Sequence, residues 1–215
     1  MGLRFTVVNC EQRTPAWRQA RAGRLTGSCA HILFMHGRKK NDESKARREY
    51  VIQLVAERME GQAQENLVWT ADMQRGVDLE PLAFAMYEAR TGTVVNRSGF
   101  LQMNECMAGC SLDGHIGNFD GIIELKCPKL NTHLSYFEDR AAIERDYLTQ
   151  VRHNLWVTGA GYCDLISFHD GAPPKMQLLV TRIAATQVYL PEYAVAAFKF
   201  LDEVDAKYQL LERYA

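Results

Sequence analysis

Apolar residues are most concentrated at Gly121–Cys127, where Ile122, Ile123 and Leu125 predict a buried strand. Elsewhere the apolar positions recur every three or four residues and predict helices. Ala46–Met59 carries Tyr50, Val51, Leu54, Val55 and Met59 at that spacing, and Gly61 ends it. Thr70–Arg90 carries Leu79, Leu82, Ala83, Met86 and Tyr87. Glu144–Val157 carries Leu148, Val151 and Leu155, and Pro191–Tyr214 carries Ala194, Phe198, Leu201, Val204, Tyr208 and Leu211. A short helix begins at Pro15 and passes through Trp17 and Arg21 to a stop at Gly23. Thr26 then reads as the N-cap of a helix over Gly27–Met35. Residues 131–138 read as one more short helix. Met107–Leu112, Thr93–Asn96, Gly99–Gln102, Tyr162–His169 and Lys175–Ile183 read as strands, the last two joined as a hairpin through Gly171–Pro174. Asn66–Trp69 reads as a loop, and residues 1–13 carry no pattern. The expectation is an α/β fold, a central mixed β-sheet flanked by α-helices, in a single domain over residues 1–215, because no Pro/Gly/Ser-rich linker interrupts the chain.

Charged residues interrupt the apolar pattern at one place. The segment CSLDGHIGNFDGIIELKCPK at Cys110–Lys129 holds Asp113, Glu124 and Lys126. With Gly114–Asp120 as a turn, an unbulged antiparallel hairpin places Asp113 opposite Glu124, with Cβ atoms about 4.5–5.5 Å apart. Lys126 shares the Glu124 face, since alternate strand residues point the same way. Two carboxylates about 5 Å apart repel by roughly 3 kcal/mol at an effective dielectric near 20. A proton, the Lys126 ammonium or a hard divalent cation such as Mg²⁺ relieves that repulsion. An Asp followed by Glu-x-Lys on the next strand suits metal-assisted phosphodiester hydrolysis. Taken alone, the same spacing fits a surface hairpin with an ordinary ion pair equally well.

Composition narrows the classes. The chain of 215 residues is 47% hydrophobic, enough for a full core, and no apolar run reaches the ~18 residues of a membrane helix. No signal-peptide h-region is present, so the expectation is a soluble cytoplasmic protein without membrane contact. Six cysteines occur with no C-x-x-C pair, which reads as reduced thiols rather than a zinc or iron–sulfur site. The net charge of −1 means that any DNA-binding surface must be local.

Four ordered segments of the chain resemble the lambda-type, or YqaJ-like, exonuclease family of phage recombination nucleases within the PD-(D/E)xK superfamily. SLDG followed by GIIELKCP is similar to that family's S-P-D-G and G-L-x-E-x-K-C-P segments, with Leu112 in place of the usual proline. AWRQARAGRLTGS at Ala16–Ser28 resembles W-x-x-x-R-x-G-x-I-T-A-S. RGVDLEPLA at Arg75–Ala83 resembles the G-x-x-x-E helix, and YLTQVRHNLWVTG at Tyr147–Gly159 resembles Y-x-x-Q-V-x-x-x-x-W-V-T-G.

The resemblance implies a 5′-to-3′ exonuclease on double-stranded DNA ends, preferably 5′-phosphorylated, that leaves a 3′ single strand for recombination by strand annealing. It implies a bacterial host cell with a phage or prophage source, a homotrimeric ring and a single-strand annealing protein as partner. As cofactor it implies two Mg²⁺ ions, with Mn²⁺ as a substitute. On this chain it assigns Asp113, Glu124, the Leu125 carbonyl and Glu80 to the metal, and Lys126 and Gln150 to the attacking water. Arg21 and Ser28 would hold the 5′ phosphate, where the residues alone read rather as a solvated arginine and a capping serine. Arg38, Met73 and Tyr147 would contact DNA, although the charge run at Gly37–Arg48 also reads as a solvated face. In related RecB-type nucleases the motif is Q-x-x-x-Y. Asn154 stands at that tyrosine position here, so the tyrosine's role does not carry over. His169, alone beside a turn, reads as structural or solvated rather than catalytic. Two rivals share these residues: a structure-specific or restriction-type endonuclease, and a catalytically silent DNA-end-binding subunit.

Overall fold

The computed structural model describes residues 2–37, 44–64 and 70–214. In chain order the elements are β1 (Phe5–Val8), α1 (Pro15–Arg21), β2 (Leu25–Thr26), a 3₁₀ helix at Gly27–Phe34, α2 (Lys45–Glu60) and α3 (Ala71–Thr91). There follow β3 (Phe100–Met103), β4 (Ala108–Ser111), β5 (Gly114–Ile116), β6 (Gly121–Lys126), α4 (Leu130–Glu138), α5 (Arg140–Thr158), β7 (Tyr162–Phe168), β8 (Leu178–Ala184) and α6 (Leu190–Glu212). The α/β class stands, but its strands form two four-stranded mixed sheets, β1-β3-β4-β2 and β5-β6-β7-β8.

The chain changes sheets at Leu112–Asp113. The expected hairpin partner, Met107–Leu112, instead pairs with β3 and β2 as β4. The segment read as a turn supplies the true partner, β5, with Gly114 opposite Ile123 and Ile116 opposite Gly121. That register is the expected one. Only the strand identity differs, because Leu112 is drawn into the first sheet's core, at 2% exposure, and its carbonyl is taken by the Gln12 side chain.

β6 lies between β5 and parallel β7, which pair its edges, and separate core clusters cover its two faces. Ile122 belongs to the main core with α2, α5 and α6, while Ile123 packs on the other face against Ala83, Phe84 and Tyr87 of α3. By alternation Glu124 and Lys126 share the Ile122 face, toward α5. The strand predicted at Thr93–Asn96 reduces to a single bridge between Asn96 and His115, and β8 starts later than expected because 174–176 form a 3₁₀ turn. Gly27–Phe34 is 3₁₀ rather than α, and Thr26, extended as an N-cap should be, makes no side-chain cap bond.

The helices form where the apolar spacing placed them, with shifted faces. Thr70 caps α3 by accepting the Met73 N–H, and Gly92, with φ +69°, stops it. Its buried positions are Ala83, Phe84 and Tyr87, whereas Leu82 is exposed. On α6 the buried residues are Tyr193, Ala197, Phe200, Leu201 and Val204, so Phe198 and Leu211 lie at the rim of that face. β1 was not expected, because only Phe5 of its four residues is fully buried and no alternation shows. Among the described residues no helix is long and apolar enough to cross a membrane.

Candidate active site

The sheet change creates the site. β5 stops pairing at Gly114–Ile123, one residue short of Asp113, so the outer edge of β6 beyond Ile123 has no strand beside it. The Leu125 N–H on that edge is taken by the Asp113 carboxylate, with Oδ2 accepting at 2.7 Å. A residue's N–H and C=O leave an extended strand on the same side. The Leu125 carbonyl therefore opens toward Asp113, as a metal ligand from this backbone would require.

Glu124 is held from the other side. Its side chain is only 3% exposed, yet every oxygen has a donor. Gln150 Nε2 donates to Oε1 at 2.6 Å, Lys126 Nζ reaches the same oxygen at 2.7 Å, and Asn154 Nδ2 donates to Oε2 at 2.9 Å. A buried carboxylate is tolerable only with such partners. Gln150 and Asn154 lie one turn apart on α5 and so share a face. The Gln150 Oε1 in turn accepts from Lys126 Nζ at 3.2 Å. Lys126 also sits 4.8 Å over the Tyr147 ring, a cation–π contact from the same helix.

The electrostatics follow from this packing. Burial first, then the Glu124 charge, pushes the Asp113 carboxyl up to about 7. Burial acts to lower Lys126, but the Glu124 and Asp113 charges outweigh it and hold the ammonium well above its ordinary value. Lys126 is thus a firmly charged donor in this arrangement.

Glu80 reaches the cluster from α3. Arg75, on the turn before it, donates to the Cys127 carbonyl at 2.7 Å and fixes the helix to the end of β6. The Glu80 carboxylate pairs with Arg97, whose guanidinium also donates to the Asp113 carbonyl at 2.7 Å. A Cβ at Gly76 would meet nothing within 4 Å, so no other part of the described chain packs against that glycine. Met73 is exposed in the first turn of the same helix.

Among the described residues no three His, Cys, Asp or Glu side chains converge as a ready-made metal cage. The donor set nevertheless fits Mg²⁺, which keeps most of its waters and needs only one or two carboxylates. Asp113, Glu124 and the outward Leu125 carbonyl supply hard oxygen donors, and Asp113 bears the repulsion that a cation would relieve.

A second constellation lies beside the start of the 3₁₀ helix. Trp17, Arg18, Arg21, Arg24, Thr26 and Tyr50 are among the residues lining a pocket of about 80 Å³. Arg21 stacks 4.2 Å over Trp17, and burial works against its charge. Among the described residues no carboxylate forms an ion pair with it. Ser28 is exposed and is not part of that lining; its hydroxyl lies 3.5 Å from that of Thr26, which is. The Gly23 turn that carries Arg21 and Arg24 is clamped by α2. Buried Glu57 accepts the Gly23 N–H at 3.0 Å, and Arg58 Nε donates to the Gly23 carbonyl at 3.1 Å. Gly23 has a φ of +63°, and a Cβ on it would stand 2.1 Å from the Arg58 side chain, so the turn requires glycine on both counts.

The two constellations meet at Gly27. A Cβ there would stand 2.6 Å from Asn154 Oδ1 and 3.3 Å from Gln150 Cγ. The helix that grips Glu124 therefore also packs against the backbone between Thr26 and Ser28.

Residues 16–161 match the YqaJ-like viral recombinase domain. The chain belongs to that family. This YqaJ-like chain is also similar to a crystal structure of an alkaline exonuclease, LHK-Exo, from Laribacter hongkongensis, with 31% identity and a TM-score of 0.81, covering 94% of this chain and 97% of that one. The structure of LHK-Exo in complex with dAMP matches with 30% identity, a TM-score of 0.81 and the same coverage. A phage-related exonuclease from Haemophilus somnus 129PT shares the fold at 14% identity and a TM-score of 0.69, covering 89% of this chain and 96% of that one. No curated protein matches the sequence.

Of the residues singled out in the sequence, Asp113, Glu124, Leu125, Lys126, Gln150, Tyr147 and Glu80 gather around the outer end of β6. Arg21 lines the second pocket, whereas Ser28 lies outside its lining, next to Thr26. Arg38 lies outside the described residues, as does the loop at 66–69. Asn154, Arg97 and Glu57 were missed. Asn154 stands where RecB-type relatives carry tyrosine, and only the packing of α5 against β6 reveals that its amide donates to Glu124. His169 caps its own turn, its Nδ1 accepting the Gly171 N–H at 3.0 Å, which agrees with a structural role.

Proposed function

We propose that the protein is a Mg²⁺-dependent nuclease acting in recombination, which degrades one strand of linear double-stranded DNA from its 5′ end. The observation that carries this reading is the convergence of Asp113, Glu124 and Lys126 at the unpaired edge of β6. Family membership and the likeness to alkaline exonucleases support the nuclease class. Asp113, Glu124 and the Leu125 carbonyl would hold the metal, with Glu80 assisting directly or through water. Bound there, Mg²⁺ supplies charge neutralisation at the scissile phosphate and a more acidic water.

The chain's own residues do the rest. Gln150 and Asn154 fix the Glu124 carboxylate in one rotamer by donating to both oxygens. Lys126, held charged, donates a hydrogen bond to the attacking water or a phosphate oxygen and stabilises the negative charge that develops there. Gln150, already bonded to Lys126, orients the same water. Arg21, desolvated and ion-paired to no carboxylate among the described residues, would suit a terminal phosphate, with the exposed Ser28 hydroxyl as a second donor. Tyr147 and Met73 border the path that the DNA would take, and Arg38 is a groove contact in the same proposal. A homotrimeric ring, a single-strand annealing partner, Mn²⁺ as substitute cation and a cytoplasmic site of action complete the reading.

The test is digestion of linear duplex bearing a 5′ phosphate, the same duplex with a 5′ hydroxyl, and a closed circular duplex, each in Mg²⁺ and in EDTA. The expected result is rapid, Mg²⁺-dependent loss of the phosphorylated linear strand and no cutting of the circle. Cleavage of the circle would establish an endonuclease instead, and inertness on all substrates a silent end-binding subunit.

A further inference from the structure

One cation beside the carboxylates belongs to none of the roles above. Arg97 lies in the link between α3 and β3, and its guanidinium is anchored three ways. It pairs with Glu80, donates to the Asp113 carbonyl at 2.7 Å and lies 4.3 Å over the Phe84 ring. Its side chain is nonetheless 52% exposed. It borders an open groove of about 600 Å³ that Gln12, Arg13, Ser98 and Glu80 also line. The guanidinium therefore has space to leave Glu80 without unpacking the core.

We propose that Arg97 is the site's built-in counter-ion, which holds Glu80 until a divalent cation displaces it. The inference rests on the metal reading given under Proposed function. Asp113 and Glu124 lie beside Lys126, and Glu80, on α3, is held by Arg97. With all five charged, the set as a whole is one charge negative. A divalent ion added to that set brings it to +1, so releasing Arg97 into the groove returns it toward neutrality. A carboxylate oxygen directed at a hard cation cannot keep its full bond to a guanidinium as well. Arg97 thus competes for Glu80, while Lys126, bonded to Glu124 and Gln150 deeper in the site, has no comparable exit.

The test is calorimetric titration of DNA-free protein with Mn²⁺, comparing wild type, Arg97→Ala, Arg97→Lys, Glu80→Gln, the Glu80→Gln/Arg97→Ala double variant and Glu124→Gln. Arg97→Ala should bind Mn²⁺ about two- to fivefold more tightly than wild type, the scale of a partly exposed ion pair lost in competition. Arg97→Lys should stay near wild type, because the charge remains. The gain from Arg97→Ala should disappear in the Glu80→Gln background. Unchanged or weaker Mn²⁺ binding by a folded Arg97→Ala protein overturns the proposal, and so does an equal gain without Glu80. If wild type binds no better than Glu124→Gln, the metal site itself is wrong and this inference falls with it. If wild type binds and only the Arg97 effect is missing, the metal site stands and this inference alone fails.

Discussion

Asp113→Asn should stabilise the protein while abolishing its proposed activity. In the absence of a divalent cation, burial and the Glu124 charge hold the Asp113 carboxyl at about 7 against an ordinary value of 3.8. A folded state that binds the proton more tightly than the unfolded chain loses stability as pH rises between those two values. At 1.36 kcal/mol per pH unit the full penalty above pH 7 is roughly 4 kcal/mol. The side chain keeps some contact with solvent, which screens the repulsion, so about 1–3 kcal/mol is the expected gain from removing the charge. Asparagine preserves the acceptor for the Leu125 N–H, which isolates the charge from the hydrogen bond. The assay is urea denaturation in EDTA at pH 5, 6, 7 and 8 for wild type and variant. The gap should be small at pH 5 and largest at pH 8. Adding Mg²⁺ should raise the wild-type midpoint and leave the variant nearly unchanged. A variant equal to or less stable than wild type at pH 8, or a gap that ignores pH, would refute the argument that these carboxylates repel each other across a cation site.

Lys126→Ala should slow cleavage at saturating DNA far more than it weakens DNA binding, and Lys126→Arg should not restore the rate, because a guanidinium has a different donor geometry; single-turnover rates decide this, and a fully active Arg variant would leave charge alone as the lysine's role. Arg21→Ala should slow digestion of a 5′-phosphorylated end about ten- to a hundredfold, given roughly 1.5–3 kcal/mol per charge-assisted hydrogen bond, and a 5′-hydroxyl end much less; equal losses on both ends would make Arg21 a general contact. Gly27→Ala should reduce activity at least tenfold with little change in melting temperature, because its methyl would press on Asn154 Oδ1 at 2.6 Å and on Gln150 rather than on the core; unchanged initial rates would show that Asn154 and Gln150 can yield without disturbing Glu124.

The register around Glu124 was legible because a strand's period of two and a short turn leave little freedom once the apolar run is placed. Which segment filled the partner strand was not. Met107–Leu112 and Gly114–Ile116 differ in sheet because Ala108–Ser111 pairs with β3 and with β2, a strand more than 80 residues earlier, and Leu112 is buried with them. Helices α2, α3, α5 and α6 were found to within a few residues from apolar spacing alone. The buried faces of α3 and α6 were less accurate, since Leu82 satisfies the spacing but is exposed, and Phe198 meets only the edge of the core, its ring against Trp156 of α5. At the site, the ionic residues could be read from their motif, whereas Asn154 and Glu57 could not. Each acts by donating to or accepting from a group that only folding brings near, and Asn and Glu at helical positions carry no distinguishing local pattern.

The contact at Gly27 has a consequence for product length. The backbone that leads from Thr26 to Ser28 rests on the same two α5 side chains that fix Glu124. If the arginine pocket seats the terminal phosphate, the span from that seat to the cleaved bond is set by packed backbone and one helix, with no loop to stretch. Such a site works as a ruler. It should release fragments of a single size from every sequence and from every position along the strand, and an insertion that lengthens the 3₁₀ segment should change that size rather than merely slow the reaction.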